Sequence, residues 1–557
     1  MNKILIRTIR TITILPLIIF FTSCSEDFLQ EKPPHLMTTV TLYTSYDGFQ
    51  AGVNGLYSLV RQDYRGWDGV NYLRKEMWMN GTDNMTSNHR DGFARVAETW
   101  TNNNSSSSEI RNNFYWLYRV INAANTIVNH AEDEGIDWIG GNNSTAVNKN
   151  IVIAHGRAAR AWAYRYLAYG WGDVPLNLSE ALGSEVKTDW VRTPVKEVRA
   201  QIIEDLLFAE QHLGVEPEKQ GRITKGAVQH YLAEMYLWDG NPTKALEYAD
   251  KVIGTSDYKL ITARYGVRRN QPGVAFMDMF YDGNSNRSEG NTEALWVFPF
   301  EYNIIGGAGS IMRRWAVSRY EAASFGGRAN VLKKTVERGG RGLGRMAVTK
   351  WAIDSYEDGD DRATNYALRK FFILKTNEEN GGEGADVLPN NYNYGDTVWM
   401  DWSSDISFSS RTRNNWPYSR KWDYGYAEFV DDSEQYNDLI YLRLAETYLL
   451  KAEAQLALND KPGAAATLNI IRARSNASPI TADVVDIDFI LDERSRELLC
   501  EEQRRCTLLR TGKWLERVRA HNHNGGETAR DIDILFAIPQ DVIDANLTLE
   551  MPNNPGH

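Results

Sequence analysis

Residues able to do chemistry are plentiful in this chain, but few are arranged for catalysis. It holds 73 Asp and Glu, 9 His and 3 Cys in 557 residues. A metal-binding protease helix would need two imidazoles and a base in a His-Glu-x-x-His run, and none occurs. A Gly-x-Ser-x-Gly elbow is equally missing. The pair Gly512-Lys513 is followed by Trp514, where a phosphate-cradling loop needs Ser or Thr. Gly340 to Gly344 is glycine-rich without dinucleotide-binding spacing and reads as a surface turn. Glycoside hydrolysis requires only two carboxylates, about 5–10 Å apart, and composition alone leaves such a pair open.

The acidic clusters have plainer readings. Glu493, Glu497 and Glu501 stand among Arg494, Arg504 and Arg505 at helical spacings, the pattern of a salt-bridged helix. Asp358, Asp360 and Asp361 lack the alternating spacing of a calcium loop and read as a loop or helix cap. Cys500 and Cys506 fall six apart on one expected helix, about 9 Å along its axis, too far to pair there. No metal or cofactor is expected. What remains is aromatic: 17 Trp and 28 Tyr, whose faces pack on sugar C–H groups while Asn, Asp and Arg bond the hydroxyls.

The elements that must position these residues are mostly helices. Ile151 to Leu176, IVIAHGRAARAWAYRYLAYGWGDVPL, carries Ala154, Ala158, Ala161 and Ala168 at helical spacing. That stripe lets a second helix approach closely. The surrounding Trp162, Tyr164, Tyr166, Tyr169 and Trp171 imply neighbours on several faces. Tyr43 to Val60 and Ile110 to Ala131 also read as helices. A helix–turn–helix pattern then occurs twice, in Thr224 to Ile253 and Leu439 to Ser475. Ala233-Glu234 corresponds to Ala452-Glu453 and Pro242 to Pro462, and Ala233–Ala245 and Ala452–Ala464 are both intervals of twelve. This is tetratricopeptide-repeat logic. The expected fold is therefore all-α dominated, a tetratricopeptide-like scaffold with a long, irregular, loop-rich insertion.

The predicted organisation is a signal peptide (1–23), a linker (24–42), an N-terminal helical region (43–257), the insertion (258–435), and a C-terminal repeat with a closing segment (436–557). Lys3, Arg7 and Arg10 precede an apolar run, Ile12 to Phe21, which is too short to span a bilayer. Cys24 follows at once and is the expected lipidation site, with Ser25-Glu26-Asp27 behind it. Two or more acyl chains suffice for stable anchoring. The formal charge of −11 disfavours nucleic acid, which needs a basic footprint. The insertion's Trp296, Trp315, Trp399, Trp402, Trp416 and Trp422 read as exposed aromatics of a functional segment.

Four stretches together resemble the SusD/RagB (SusD-like) outer-membrane lipoproteins. These are the small-residue helix with its GDVPL ending, and the Phe21-Thr22-Ser23-Cys24 lipobox. The third is ERSRELLCEEQRRCTLLRTG (493–512), with Glu502, Arg505 and Thr507 where the family has Gly, Trp and Asp. The last is the closing FAIPQDVIDANLTLEMPNNPGH. The resemblance implies a surface-exposed outer-membrane protein with no enzymatic activity. It would capture oligosaccharide and pass it to a SusC-like TonB-dependent transporter. Peptide or another nutrient as ligand, or a surface glycosidase, are the alternatives. By the same resemblance, Trp100 and Asn102 supply an aromatic and an amide of the glycan site, Trp315 a second aromatic, and Asp83 an acidic contact.

Overall fold

In the computed structural model, which describes residues 39–66, 68–90, 92–181, 187–408, 413–424 and 426–557, most long helices begin at a side-chain oxygen. Ser45 caps α1 (Tyr46–Val60), Ser107 caps α2 (Ser108–His130) and Ser144 caps α3 (Thr145–Trp171). Each accepts a bond from a backbone N–H that the first helical turn leaves unpaired. The polar run before α2 thus serves as its start signal. Helix α4 (Val195–His212) follows Pro194, and α5 (Lys225–Trp238) is capped by Thr224. Asn241 caps α6 (Pro242–Ile253), where Pro242 sits in the first turn and loses no hydrogen bond. The pattern recurs far along the chain, where α8 (Leu444–Ala457) is followed by α9 (Lys461–Arg474), capped by Asp460 and again carrying a proline in its first turn.

These helices form a row. Helix α2 packs on α3, α3 on α4, α4 on α5, α5 on α6, α6 on α8 and α8 on α9, with α1 lying across α2 and α3. The contact between α6 and α8 joins the two repeats directly, although residues 254–443 intervene. Helix α3 is buried nearly all round, as its composition requires. Ala154, Ala158, Ala161 and Ala168 are 0–2% exposed. Gly156 sits so close to α2 that an added Cβ would meet Val128 at 2.8 Å. Two buried ion pairs, Arg160–Asp205 at 2.7 Å and Arg165–Glu234 at 2.8 Å, tie α3 to α4 and α5. Such pairs gain little net energy after desolvation, but an uncompensated partner is costly, so they fix helix orientation.

Among the described residues the strands form five two-stranded antiparallel pairs, none larger. Three matter below: β1 (Met85–Ser87) with β3 (Met346–Val348), β2 (Ala294–Phe298) with β6 (Leu439–Arg443), and β4 (Phe371–Ile373) with β5 (Thr397–Trp399). A buried charge network fastens the insertion to the row. Glu497, at the end of α10 (Ile487–Leu498), accepts from Arg362, Arg443 and Arg474, and Glu293 accepts from Arg443 and Arg474. Burial alone would raise the Glu493 carboxyl, but Arg362, Arg496 and Arg472 outweigh it and hold it at about 2.

Two expectations need correction here. The stretch 493–512 is not one helix: α10 ends at Leu498, Cys500 takes a left-handed φ of 64°, and α11 (Arg504–Arg510) restarts beyond it. The glutamates therefore bind arginines from other elements more than from their own. Of the insertion tryptophans, Trp296, Trp416 and Trp422 are 2–3% exposed and belong to the core. Asp360, by contrast, caps a short 3-10 turn and pairs with Arg362, as a cap reading requires.

Candidate functional site

Three of the four sequence-selected ligand residues, Asp83, Trp100 and Trp315, lie in the interior. Asp83 has no solvent exposure. Arg504 grips it from α11 at 2.8 and 2.6 Å, and Arg517, on α12 (Trp514–His521), adds a bond of 2.6 Å. Burial would raise this carboxyl, but the two guanidiniums prevail and hold it at about 2. The Asp83 carbonyl accepts from Thr349, whose side chain also caps α7 (Lys350–Asp354). One buried aspartate thus positions both α12 and α7. A direct ligand contact for Asp83 is corrected to this anchoring role.

Trp100 and Trp315 are likewise interior. Trp100 is 2% exposed, adopts a left-handed φ of 58°, donates to the Gly525 carbonyl at 3.4 Å and meets Trp514 edge-on at 5.0 Å. Trp315 has no exposure, and its N–H donates to Glu76 at 2.8 Å. A large ring with one polar atom is most stable with that atom partnered and the rest dry, so these loops fold their indoles inward. The expected platform with Trp100 opposite Trp315 is not formed. Asn102 is half-buried and donates to Ser107 and Glu109, both at 3.3 Å. The signal segment and Cys24 lie outside the described residues.

The surface above this layer holds a groove of about 510 Å³ between α7 and α12, within the usual size range of ligand sites. Trp351 and His521 form its aromatic wall, stacked at 4.3 Å and 20°. The Arg517 guanidinium that binds Asp83 also lies 5.1 Å over the Trp351 ring. Burial and Arg517 push the His521 imidazole below its ordinary range. Asp354, Asp405, Arg519 and Glu527 supply polar groups around the rim. Neither Trp351 nor His521 stands out in the sequence; the His/Asn-rich turn HNHNGGE (521–527) is the signal that was there to be read.

A second aromatic feature adjoins the groove through the chain. The β4–β5 register sets Phe371 opposite Trp399, with the rings 4.8 Å apart. Trp399 is 57% exposed, the most open tryptophan of the described core-forming elements, and Trp402 lies 6.5 Å from it, half-buried. The loop from Trp399 then runs to Asp405 at the groove wall. Of the aromatics that sequence reading marked as exposed, Trp399 is so placed, with Trp402 half-buried beside it. Stacking faces beside mixed donors and acceptors suit a polyhydroxylated ligand. Among the described residues, no group of three or more His, Cys, Asp or Glu side chains could hold a metal ion.

A row of nested helical hairpins, carrying a ligand-sized groove on its loop-built side, defines a tetratricopeptide-like scaffold protein. The SusD family model matches residues 308–557, and a second SusD-like model, described as starch-binding and associating with the outer membrane, matches residues 27–237. The chain belongs to the SusD/RagB family. It is 24% identical over 534 residues to a SusD-like protein of Formosa agariphila, covering 92% of this chain and 91% of that one. Among solved structures, a SusD homologue from Bacteroides thetaiotaomicron superposes with a TM-score of 0.70 at 18% identity, covering 94% and 99% of the two chains. A laminarin-binding SusD-like protein gives 0.65 at 20%, covering 92% and 99%.

Proposed function

We propose that this protein captures oligosaccharides at the cell surface, held to the outer membrane by a lipid on Cys24, and delivers them to a SusC-like TonB-dependent transporter. The observation that carries the reading is the aromatic ridge of exposed Trp399 and half-buried Trp402, joined by one loop to the Trp351–His521 groove. Its geometry suits sugar rings stacked in sequence along an extended chain. Laminarin binding in one structural neighbour, and the naming of another as a surface glycan-binding protein, support the same class of ligand. Binding and release, without bond cleavage, is the proposed chemistry.

The test is affinity electrophoresis and calorimetry of Trp399→Ala and Trp351→Ala against the polysaccharides that the wild type binds. A central aromatic anchor contributes ~2 kcal/mol or more, so each variant is expected to lose about tenfold or more in affinity with its circular dichroism unchanged. Wild-type affinity in both variants would remove this face from the site. Appearance of shortened sugars during incubation would replace binding with hydrolysis.

A further inference from the structure

The glycine-rich turn that sequence reading took as a surface bend is a device for presenting arginines. In Gly340-Arg341-Gly342-Leu343-Gly344-Arg345, Gly340 and Gly344 take left-handed φ values of 76° and 55°. A Cβ on Gly342 would meet the Val317 carbonyl at 2.1 Å. Only glycines let the turn lie this close to the 314–318 segment, where Leu343 N–H donates to the Arg314 carbonyl at 2.8 Å and Gly344 N–H to that of Val317 at 2.8 Å. Arg413 closes the group, donating to the Leu343 carbonyl at 2.6 Å.

Four guanidiniums are thereby gathered with no anion among them. Arg345 and Arg314 both lie over the buried Trp315 ring, at 4.6 and 6.0 Å. Their hydrogen bonds go to neutral groups: Arg345 to the Asn71 carbonyl, Arg341 to the Asp431 carbonyl, Arg314 to the Ser433 hydroxyl. The buried Nε of Arg314 has no partner. None of the four has a carboxylate within ion-pairing distance among the described residues: Glu321, bonded to Arg319 through one oxygen, acts on Arg413 only at longer range, and Asp431 pairs with Lys334. Burial lowers Arg314 to about 10, and the neighbouring Arg341, Arg345 and Arg413 add to that shift. An acidic chain whose buried arginines are mostly paired leaves these four, all half-buried, without an ion pair.

The cluster borders the aromatic ridge. Two residues beyond Arg413, the Asn415 carbonyl accepts from the backbone N–H of Asp401, which lies between Trp399 and Trp402. We propose that Arg314, Arg341, Arg345 and Arg413 form an oxyanion subsite beside the ridge, and that the captured glycan is acidic, bearing carboxylate or sulfate-ester groups. The inference rests on the glycan-binding reading and narrows it. Guanidinium forks match both oxyanions in shape and charge.

The experiment uses the full chain on a glycan array carrying dextran sulfate, polygalacturonate, dextran and laminarin, followed by calorimetry at low and high NaCl. Binding to at least one polyanion is expected, weakening as salt rises. Preference for dextran sulfate over dextran marks the sulfate ester, and binding to polygalacturonate marks the carboxylate. The triple variant Arg341→Gln, Arg345→Gln, Arg413→Gln, all half-buried positions that leave Arg314 in place, is expected to lose about tenfold or more in polyanion affinity with an unchanged melting curve. Lys196→Gln, on exposed α4 surface, should lose nothing; an equal loss there would expose general charge attraction and overturn the subsite. Polyanion binding unaltered in the triple variant would also overturn it. Wild-type binding confined to dextran or laminarin would overturn the acidic ligand while leaving glycan capture standing, and silence on every probe would count against both.

Discussion

Glu98 has no solvent exposure, and no cation faces its carboxyl: it accepts from the N–H groups of Gly81 and Ser87 and the hydroxyl of Thr86, at 2.9, 3.0 and 2.8 Å, with the Asn522 side chain beside them. Burial raises it to about 7, and those donors only partly oppose the rise. The linkage sign follows from the folded value exceeding the ordinary one of 4.5. Between those values the folded protein keeps a proton that the unfolded chain has shed. Its contribution is therefore fully present below about pH 4.5 and is lost as pH rises through 7, by on the order of 3 kcal/mol. Glu98→Gln, which cannot ionise, should gain relative to wild type by that order between pH 5 and 8. Urea midpoints at both pH values check this; a pH-independent difference would show that Glu98 is ionised throughout. Asp83 runs the opposite way, stabilising the fold until pH falls toward its value of about 2.

At the scale of elements, the close packing of α3 makes the clearest prediction. Ala161 is 1% exposed, and overpacking a filled core costs about 1–3 kcal/mol. Ala161→Leu should lower the denaturation midpoint accordingly; an unchanged midpoint would mean that the stripe has room to spare. The helices were legible because apolar periodicity, capping residues and the repeated Ala and Pro positions are local signals. The burial of Trp100, Trp296, Trp315 and Trp416 was not. They sit in aperiodic segments, where spacing carries no information about which side faces inward. Three of their N–H groups find backbone carbonyls distant in sequence: Trp100 at Gly525, Trp296 at Gly221 and Trp416 at Val348. The break at Cys500 was hidden for another reason, since no glycine or proline announces its left-handed backbone. The candidate site was legible only in part. Trp399 and Trp402 stood out as aromatics in a loop-rich insertion, whereas Trp351 and His521 lie 170 positions apart in sequence and meet where Asp83 bonds to Thr349 before α7 and to Arg517 of α12.

For the whole molecule, the anchor proposed at Cys24 has a direct consequence. Cys24→Ala should move the protein from the membrane fraction to the soluble one with its melting curve unchanged. Equal retention of the variant in washed membranes would contradict lipid anchoring. Among the described residues no helix is long and apolar enough to cross a membrane.

The seam between α6 and α8 sets an order of assembly. The two helices touch, but everything from 254 to 443 is made between them. Closing so long a loop adds little equilibrium cost, since each doubling of its length costs only about 0.6 kcal/mol. The kinetic burden is larger, because distant contacts slow folding. Until the C-terminal hairpin is available, α6 has an apolar flank with nothing to cover it. A chain arriving N-terminus first on the far side of a membrane would carry that sticky flank throughout its emergence. On the export route proposed above, chaperones that shield such surfaces should therefore determine yield more than final stability does.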